Sequence, residues 1–431
     1  MPATDTHSSV VGSGILANLL RDDGYWPTPP RSLDETGLTA GMVESLVLKY
    51  LALIGTASGR QIAQQICLPF GILEELFRQL RARMVICHTG SAPLSDYYYK
   101  LTEQGQERAA TYAAACAYVG PAPAPLADYI VSVEAQTIRA EAPRRENLER
   151  AFAKICVDPS LYDSLGPAIN SGAGLFLYGA PGNGKSTLAK CITMCFGQSI
   201  WIPSAVVDDN QIVKVYDEAY HEIVPPTESS LVKAEHDARW VKIRRPTVMV
   251  GGELTMDSLE IRHDPRGNIS EAPLQMKSNC GCLLIDDFGR QRMEPLELLN
   301  RWIVPLEMRQ DFLTLATGKK IQVPFEQLII FSTNLEPKDL VDEAFLRRIP
   351  YKIEITDPNE KEFHDLFQLY AASYNCDYDS EVVDYLIENH YKPRKLRMRR
   401  CHAYHDIPLE MKPEYFDIVV RSYFTVVQGM S

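Results

Sequence analysis

One stretch constrains this chain more than any other: Gly179-Ala180-Pro181-Gly182-Asn183-Gly184-Lys185-Ser186, followed by Thr187. It has the spacing G-x-x-x-x-G-K-S. A glycine-rich turn of this kind lets successive backbone N–H groups converge on phosphate oxygens. Lys185 then reaches the β- and γ-phosphates, and the Ser186 hydroxyl becomes a Mg²⁺ ligand. The motif works only between a strand and a helix, and both flanks are present. Gly174–Tyr178 is a short apolar run, as a buried parallel strand requires. The helix expected after Lys185 turns its positive N-terminus toward the same anion. These residues predict an α/β core built around nucleotide phosphates.

The rest of the composition sets limits. The chain has 431 residues, 45% of them hydrophobic and 23% charged, which allows two or three globular domains. No apolar run approaches the ~20 residues needed to span a bilayer, so no membrane insertion is expected. The first residues lack a basic segment followed by an apolar core, so no secretory signal is expected and a cytoplasmic location follows. The ten cysteines are scattered, and Cys280-Gly-Cys282 is too tight for C-x-x-C spacing, which predicts reduced thiols. A net charge of −12 argues against a general nucleic-acid coat and leaves only local basic patches.

Residues 1–36 are polar and proline-rich and read as a flexible leader. Over 37–118 the apolar spacing predicts helices at Met42–Leu53, Gly59–Ile66 and Ile72–Arg83. Two strands, Val85–Cys87 and Tyr97–Leu101, and a helix capped by Thr102 follow. Residues 119–143 read as a proline-rich linker followed by a short strand or helix at Tyr129–Thr137. Two short helices, at Glu146–Ile155 and Pro159–Leu165, lead into the phosphate strand. Leu165–Ile169 is a candidate pocket for the base and equally suits plain packing. Further on, Arg239–Val250 reads as a basic strand pair.

Three later stretches carry chemistry. Cys282-Leu-Leu-Ile-Asp286-Asp287 is an apolar strand ending in two acids, and open α/β sheets place ligands at such carboxyl ends. Asp286 is the Mg²⁺ candidate, together with Ser186. Asp287 is the group that orients or deprotonates an attacking water. Leu328–Asn334 is a second buried strand, whose terminal Asn334 can bond that water or the γ-phosphate. Arg347 and Arg348 close an apolar helix. They are either a solvated cap or cations that reach a neighbouring subunit's γ-phosphate. Residues 392–400 add six cations, a density that suits phosphate or an acidic partner.

Taken as an ordered set over about 145–425, these motifs resemble those of AAA+ ATPases. The resemblance implies a doubly wound parallel-sheet P-loop ATPase core over 144–356 and a C-terminal helical lid over 357–431. It implies ATP and Mg²⁺ bound between subunits of a ring, most often a hexamer. By the same resemblance Gly179–Thr187 is Walker A, Asp286-Asp287 is Walker B and Asn334 is sensor 1. Arg347 and Arg348 match the arginine-finger positions. Arg394 matches sensor 2, with Arg397 a second candidate. The expected hairpin at Asp311–Val323, just before the Asn334 strand, resembles the pre-sensor hairpin group, which includes MoxR-like chaperones. Loops at 251–270 and 316–320 would then face a ring's pore, where they either grip a client through Lys319 and Lys320 or are ordinary exposed loops. The α+β domain at 37–118 resembles a winged helix.

The functional expectation is an oligomeric remodelling or assembly chaperone acting on a protein partner. Two alternatives stand beside it. One is a DNA-associated regulator using the winged-helix-like domain, although seven basic residues against six acidic ones over 37–118 leave a weak electrostatic footprint. The other is a slow-hydrolysing nucleotide switch. Most of the family ends Walker B in Asp-Glu, whereas Asp287 is one carbon shorter.

Overall fold

The computed structural model describes residues 25–197, 199–225, 235–340, 343–405 and 411–424. Most of the expected leader, residues 1–24, lies outside them.

The front of the chain folds as the periodicity predicts. Helices α1 (Ala40–Ile54), α2 (Gly59–Ile66) and α3 (Phe70–Ala82) precede strands β2 (Ile86–Ala92) and β3 (Asp96–Leu101), and α4 (Glu103–Ala115) closes the unit. A short β1 (Thr56–Ser58) pairs with β3, giving a three-stranded sheet in the order β1-β3-β2. Local chemistry fixes the helix starts. Thr39 caps α1, Ser58 and Gln61 form a capping box on α2, and Thr102 caps α4. Val43, Leu46, Val47, Ile62, Leu73 and Phe77 fill one core.

Residues 25–36 and 119–143 depart from the expectation. Tyr25 and Trp26 pack on Trp240 and Trp201, and the Trp26 indole N–H donates to the Glu235 carbonyl at 3.2 Å. The 119–143 stretch is not an open spacer. It supplies an edge strand, β4 (Ala124–Pro125), and a packed helix, α5 (Leu126–Ala135). Leu126, Tyr129 and Val133 lie at helical spacing and are buried. Pro125 is tolerated because an edge strand leaves one side unpaired.

The core that carries the phosphate loop is a five-stranded, wholly parallel sheet in the order β10-β13-β16-β5-β17. Its strands are β5 (Leu175–Tyr178), β10 (Thr247–Val250), β13 (Cys282–Ile285), β16 (Leu328–Thr333) and β17 (Tyr351–Glu354). Helix α6 (Ser160–Ser171) precedes β5, α7 (Lys185–Thr193) follows it, and α8 (Pro295–Met308) follows β13. Alternation along the strands feeds two separate cores. Leu175, Leu177, Leu284 and Ile330 face α6 and α7, whereas Phe176, Leu283, Ile329 and Phe331 face α8 and Trp302. Burial on both faces explains why these strands read as continuous apolar runs. This is the doubly wound architecture the motifs implied. It also answers the base-pocket expectation: Leu165, Ala168 and Ile169 are buried core residues of α6.

Between β5 and β13 the chain builds a second β assembly. Strands β6 (Ser199–Pro203) and β9 (Trp240–Arg244) pair antiparallel. β7 (Ala205–Asp208), β8 (Gln211–Lys214), β11 (Arg262–Asp264) and β12 (Ile269–Glu271) join β4 in a mixed sheet. The expected strand pair at 239–250 is therefore divided. Pro246 interrupts it, β9 pairs with β6, and β10 becomes an edge of the parallel sheet. The hairpin of β14 (Gln310–Thr314) and β15 (Lys320–Pro324) is present where expected, and its Leu313, Leu315 and Ile321 join this assembly's core. Its tip is docked: the Ala316 N–H donates to Gln211 at 3.0 Å and Lys319 pairs with Asp208 at 2.6 Å. In the 251–270 segment the Gly267 carbonyl accepts from the Ala117 N–H at 2.8 Å, against the front unit. These bonds tie both loops to neighbouring strands and to the front unit.

The C-terminal helices α9 (Glu360–Ser373), α10 (Ser380–Leu386), α11 (Arg400–His405) and α12 (Pro413–Phe424) share a core of Phe363, Phe367, Leu386, Tyr391 and Phe416. Asn359 and Glu362 form the capping box that starts α9. Among the described residues, no helix is long and apolar enough to cross a membrane.

Candidate functional site

The loop Gly179–Gly184 joins β5 to α7, at the carboxyl end of the sheet. Gly179 has φ 138° and lies against the Ile355 carbonyl, so any side chain there collides with the end of β17. Gly182 has φ 86°, and an added Cβ would come within 2.5 Å of the Cys401 sulfur. Both positions demand glycine for conformation and for space. Asn183 is fully buried and braces the loop from below, donating to Asp357 at 2.8 Å. Its Oδ1 has no hydrogen-bond partner among the described residues.

Lys185 opens α7. Its ammonium donates to the Gly179 and Ala180 carbonyls at 3.0 Å each, and to Asn334 Oδ1 at 2.8 Å. The cation thus sits inside the loop curl. Burial pulls its pKa below the ordinary lysine value, while Asp286 and Asp287 pull the other way and Arg399 reinforces the lowering. Ser186 Oγ donates to Asp286 Oδ2 at 2.6 Å. Ser186 and Asp286 are the residues that would hold Mg²⁺, which would supply charge neutralisation at the phosphate oxygens. The donor set is hard and all oxygen, as that ion prefers.

Asp287 has φ 48°, in the left-handed region. Its carboxylate accepts from Asn334 Nδ2 at 3.1 Å. Asn334 therefore bridges Lys185 and Asp287, one atom of its amide serving each. Asp286, Asp287, Asn334, Lys185 and Ser186, read from three separate stretches of sequence, form one connected cluster.

The arginines divide differently. Arg394 is exposed and makes no hydrogen bond or ion pair with the loop among the described residues. Arg397 lies 4.0 Å from Asp357, at the loop's rim. Arg399, which the sequence reading passed over, donates to the Pro181 carbonyl at 2.6 Å. Beside it the Cys401 N–H donates to the Gly182 carbonyl at 2.9 Å. Arg347 and Arg348 do not reach their own loop. Arg347 pairs with Glu343 at 2.9 Å and Arg348 with Glu307 of α8 at 2.6 Å.

A cleft of about 460 Å³ adjoins the loop, lined by Asp158, Leu161, Ser164, Thr356, Asn359 and Arg400 among others. Its size suits a small molecule. It lies on the side of the loop that Asp357 and Ile355 support. A surface groove of about 560 Å³ lined by Arg144, Arg145 and Tyr162 includes none of the loop residues.

A family profile described as a domain of unknown function, DUF8689, matches residues 359–422, the helical lid that carries Arg394, Arg397 and Arg399. No curated protein matches the chain. Among solved structures the chain is similar to NtrX from Brucella abortus, at 12% identity and a TM-score of 0.35 over 67% of this chain and 55% of that one. NtrX in complex with ADP matches at 13% identity, with a TM-score of 0.33 over 66% and 54%. The complex between subunits BchI and BchD of magnesium chelatase matches at 17% identity, with a TM-score of 0.33 over 60% and 72%. The chain thus spans just over half the length of the NtrX chains. These likenesses are distant, and the site is read on its own geometry: a P-loop α/β core whose phosphate loop, acidic strand end and polar strand end converge.

Proposed function

We propose that this chain is a cytoplasmic, Mg²⁺-dependent ATPase of the AAA+ type that works as a ring and remodels or assembles a protein partner. The observation that carries the reading is the cluster in which Lys185, Asn334 and Asp287 are linked in series and Ser186 meets Asp286. Mg²⁺, when bound by Ser186 and Asp286, would neutralise charge on the phosphate oxygens. Lys185 and the loop N–H groups hold the β- and γ-phosphates. Asp287, steadied by Asn334, orients the water for in-line attack and accepts its proton. The Arg399 guanidinium, next to the loop, takes the sensor 2 role first given to Arg394.

Among the described residues Arg347 pairs with Glu343 and Arg348 with Glu307, neither of them a residue of the loop, which suits a contribution to a neighbour's site. Arg348 pairs with Glu307 of α8, a helix that also carries the exposed apolar residues Val304 and Met308. An apolar stripe beside a cation suits a second copy docking against the first copy's phosphate loop. Arg347→Ala and Arg348→Ala are expected to leave ATP binding intact. One of them should lower turnover on the order of 10³-fold. Turnover per subunit in the wild type should rise with protein concentration and then level off. Full turnover in both single variants and in the double variant would overturn the arginine assignment.

The winged-helix-like unit at 37–118 serves partner choice. Protein rather than DNA is favoured because its candidate arginines are engaged internally. Arg78 pairs with Glu75, Arg81 contacts His88, and Arg83 pairs at 2.5 Å with the buried Glu44. The β14–β15 hairpin before β16 supports the MoxR-like branch.

A further inference from the structure

The turn that follows β13 is built around a side chain to which nothing above gives a role. Gln291 Nε2 donates to the Asp286 carbonyl at 2.9 Å and to the Asp287 carbonyl at 3.2 Å. Its Oε1 accepts from the Gly289 N–H at 2.8 Å. One amide thus holds three successive parts of the same turn. The turn is anchored elsewhere too. The Phe288 N–H donates to the Ser332 carbonyl at 2.7 Å, and the Thr333 hydroxyl donates to the Phe288 carbonyl at 2.9 Å. The Phe288 ring is buried between Phe176 and Phe331. At Asp287 the carbonyl also accepts from the Arg290 N–H at 3.0 Å and the N–H donates to Asp286 Oδ1 at 3.1 Å, and Gln291 is the side chain that ties these peptide groups to Gly289.

Asp287 needs that support. Its φ of 48° is left-handed, a conformation that costs a residue with a Cβ on the order of 1–2 kcal/mol. Asp and Asn tolerate it better than other non-glycine residues, and glutamate does not share the advantage. The Asp-Asp ending of this Walker B motif and the left-handed turn therefore belong together. A left-handed residue re-aims its Cα–Cβ bond, and here the short carboxylate ends up 3.1 Å from Asn334 Nδ2.

We infer that Gln291 is a positioning residue for ATP hydrolysis: by clamping the turn it holds Asp287 left-handed, so that an aspartate does what a longer glutamate does elsewhere. The inference rests on the ATPase reading proposed above. It also yields a result that a merely structural glutamine would not give. Without the clamp the turn relaxes toward ordinary φ, and the carboxylate retreats. In that relaxed turn the extra carbon of glutamate becomes an advantage.

The test compares wild type, Asp287→Ala, Asp287→Glu, Gln291→Ala and the Asp287→Glu/Gln291→Ala double variant, using the full chain. Single-turnover ATP hydrolysis and equilibrium ATP binding are measured for each. Gln291→Ala is expected to bind ATP as wild type does and to hydrolyse it on the order of 10²-fold more slowly, the cost of misplacing a reacting group by about 1 Å. Asp287→Glu alone should also be slower than wild type. The double variant should be faster than Gln291→Ala. Wild-type hydrolysis by Gln291→Ala, or a double variant no faster than Gln291→Ala, overturns the inference while leaving the ATPase reading intact. A wild-type chain that binds no ATP overturns both, and an Asp287→Ala variant that hydrolyses normally overturns the inference together with the role given to Asp287.

Discussion

Replacing Lys185 with alanine is expected to abolish ATP binding at concentrations where the wild type is saturated. The ammonium lies inside the curl of the loop, held by two loop carbonyls and Asn334. A phosphate chain entering that curl exchanges these neutral acceptors for anionic oxygens, and charge-assisted hydrogen bonds are roughly twice as strong. Loss of a buried charged partner costs about 2–5 kcal/mol, which is roughly 30- to 5,000-fold in affinity. The fold should not suffer equally. Lys185 is 7% exposed and its burial disfavours the charged form, so alanine removes a desolvated cation from the free protein. The measurement is a titration with a fluorescent ATP analogue beside a thermal melt. Weak binding with an unchanged melting temperature fits this account. Undiminished binding contradicts it.

The second large effect is expected at Asp287. Asp287→Ala should bind ATP as the wild type does and lose turnover by about 10²–10⁴-fold, the range that general-base groups contribute. Binding is spared because Asp287 lies beyond Asn334 rather than on the loop, and its carboxylate is exposed at the strand end. Removing a negative charge near the γ-phosphate can even tighten ATP. The same variant separates the two hydrolysis readings. A slow-hydrolysing switch, the alternative that the aspartate raised, starts from a wild-type rate close to that of the alanine variant. Phosphate release under single-turnover conditions compares the two directly.

The phosphate loop, the Asp286–Asp287 strand end and the Asn334 strand end were legible because each is a local pattern. A buried strand announces itself as an apolar run, and its polar terminus has one place to go in a parallel sheet. The helical lid was legible as helices. The residue in it that meets the loop was not. Six cations fall between 392 and 400, and which of them reaches Pro181 depends on how the chain turns. Lys395 adopts φ 51°, and the Cys401 N–H locks onto the Gly182 carbonyl, which delivers Arg399 instead of Arg394. Spacing along the sequence carries no record of that long-range bond.

Prolines misled the reading in two places, for different physical reasons. Around 119–143 they suggested a spacer, yet Pro125 sits in an edge strand and the next ten residues form a packed helix. At Pro246 the break between two strands was real, but it separates members of different sheets instead of forming a hairpin. The stretch proposed for the base carries a different ambiguity. Leu165, Ala168 and Ile169 have the spacing of a helix face, and such a face more often fills a core than lines a pocket. The docked tip of the β14–β15 hairpin was hidden because Lys319 and Asp208 are far apart in sequence.

The account stands most directly on phosphate release from ATP by the purified full chain, measured with Mg²⁺ and with the metal chelated, and repeated on Asp286→Ala. It predicts release that requires Mg²⁺ and disappears in the variant. Release that continues without Mg²⁺, or that survives in Asp286→Ala, would contradict it.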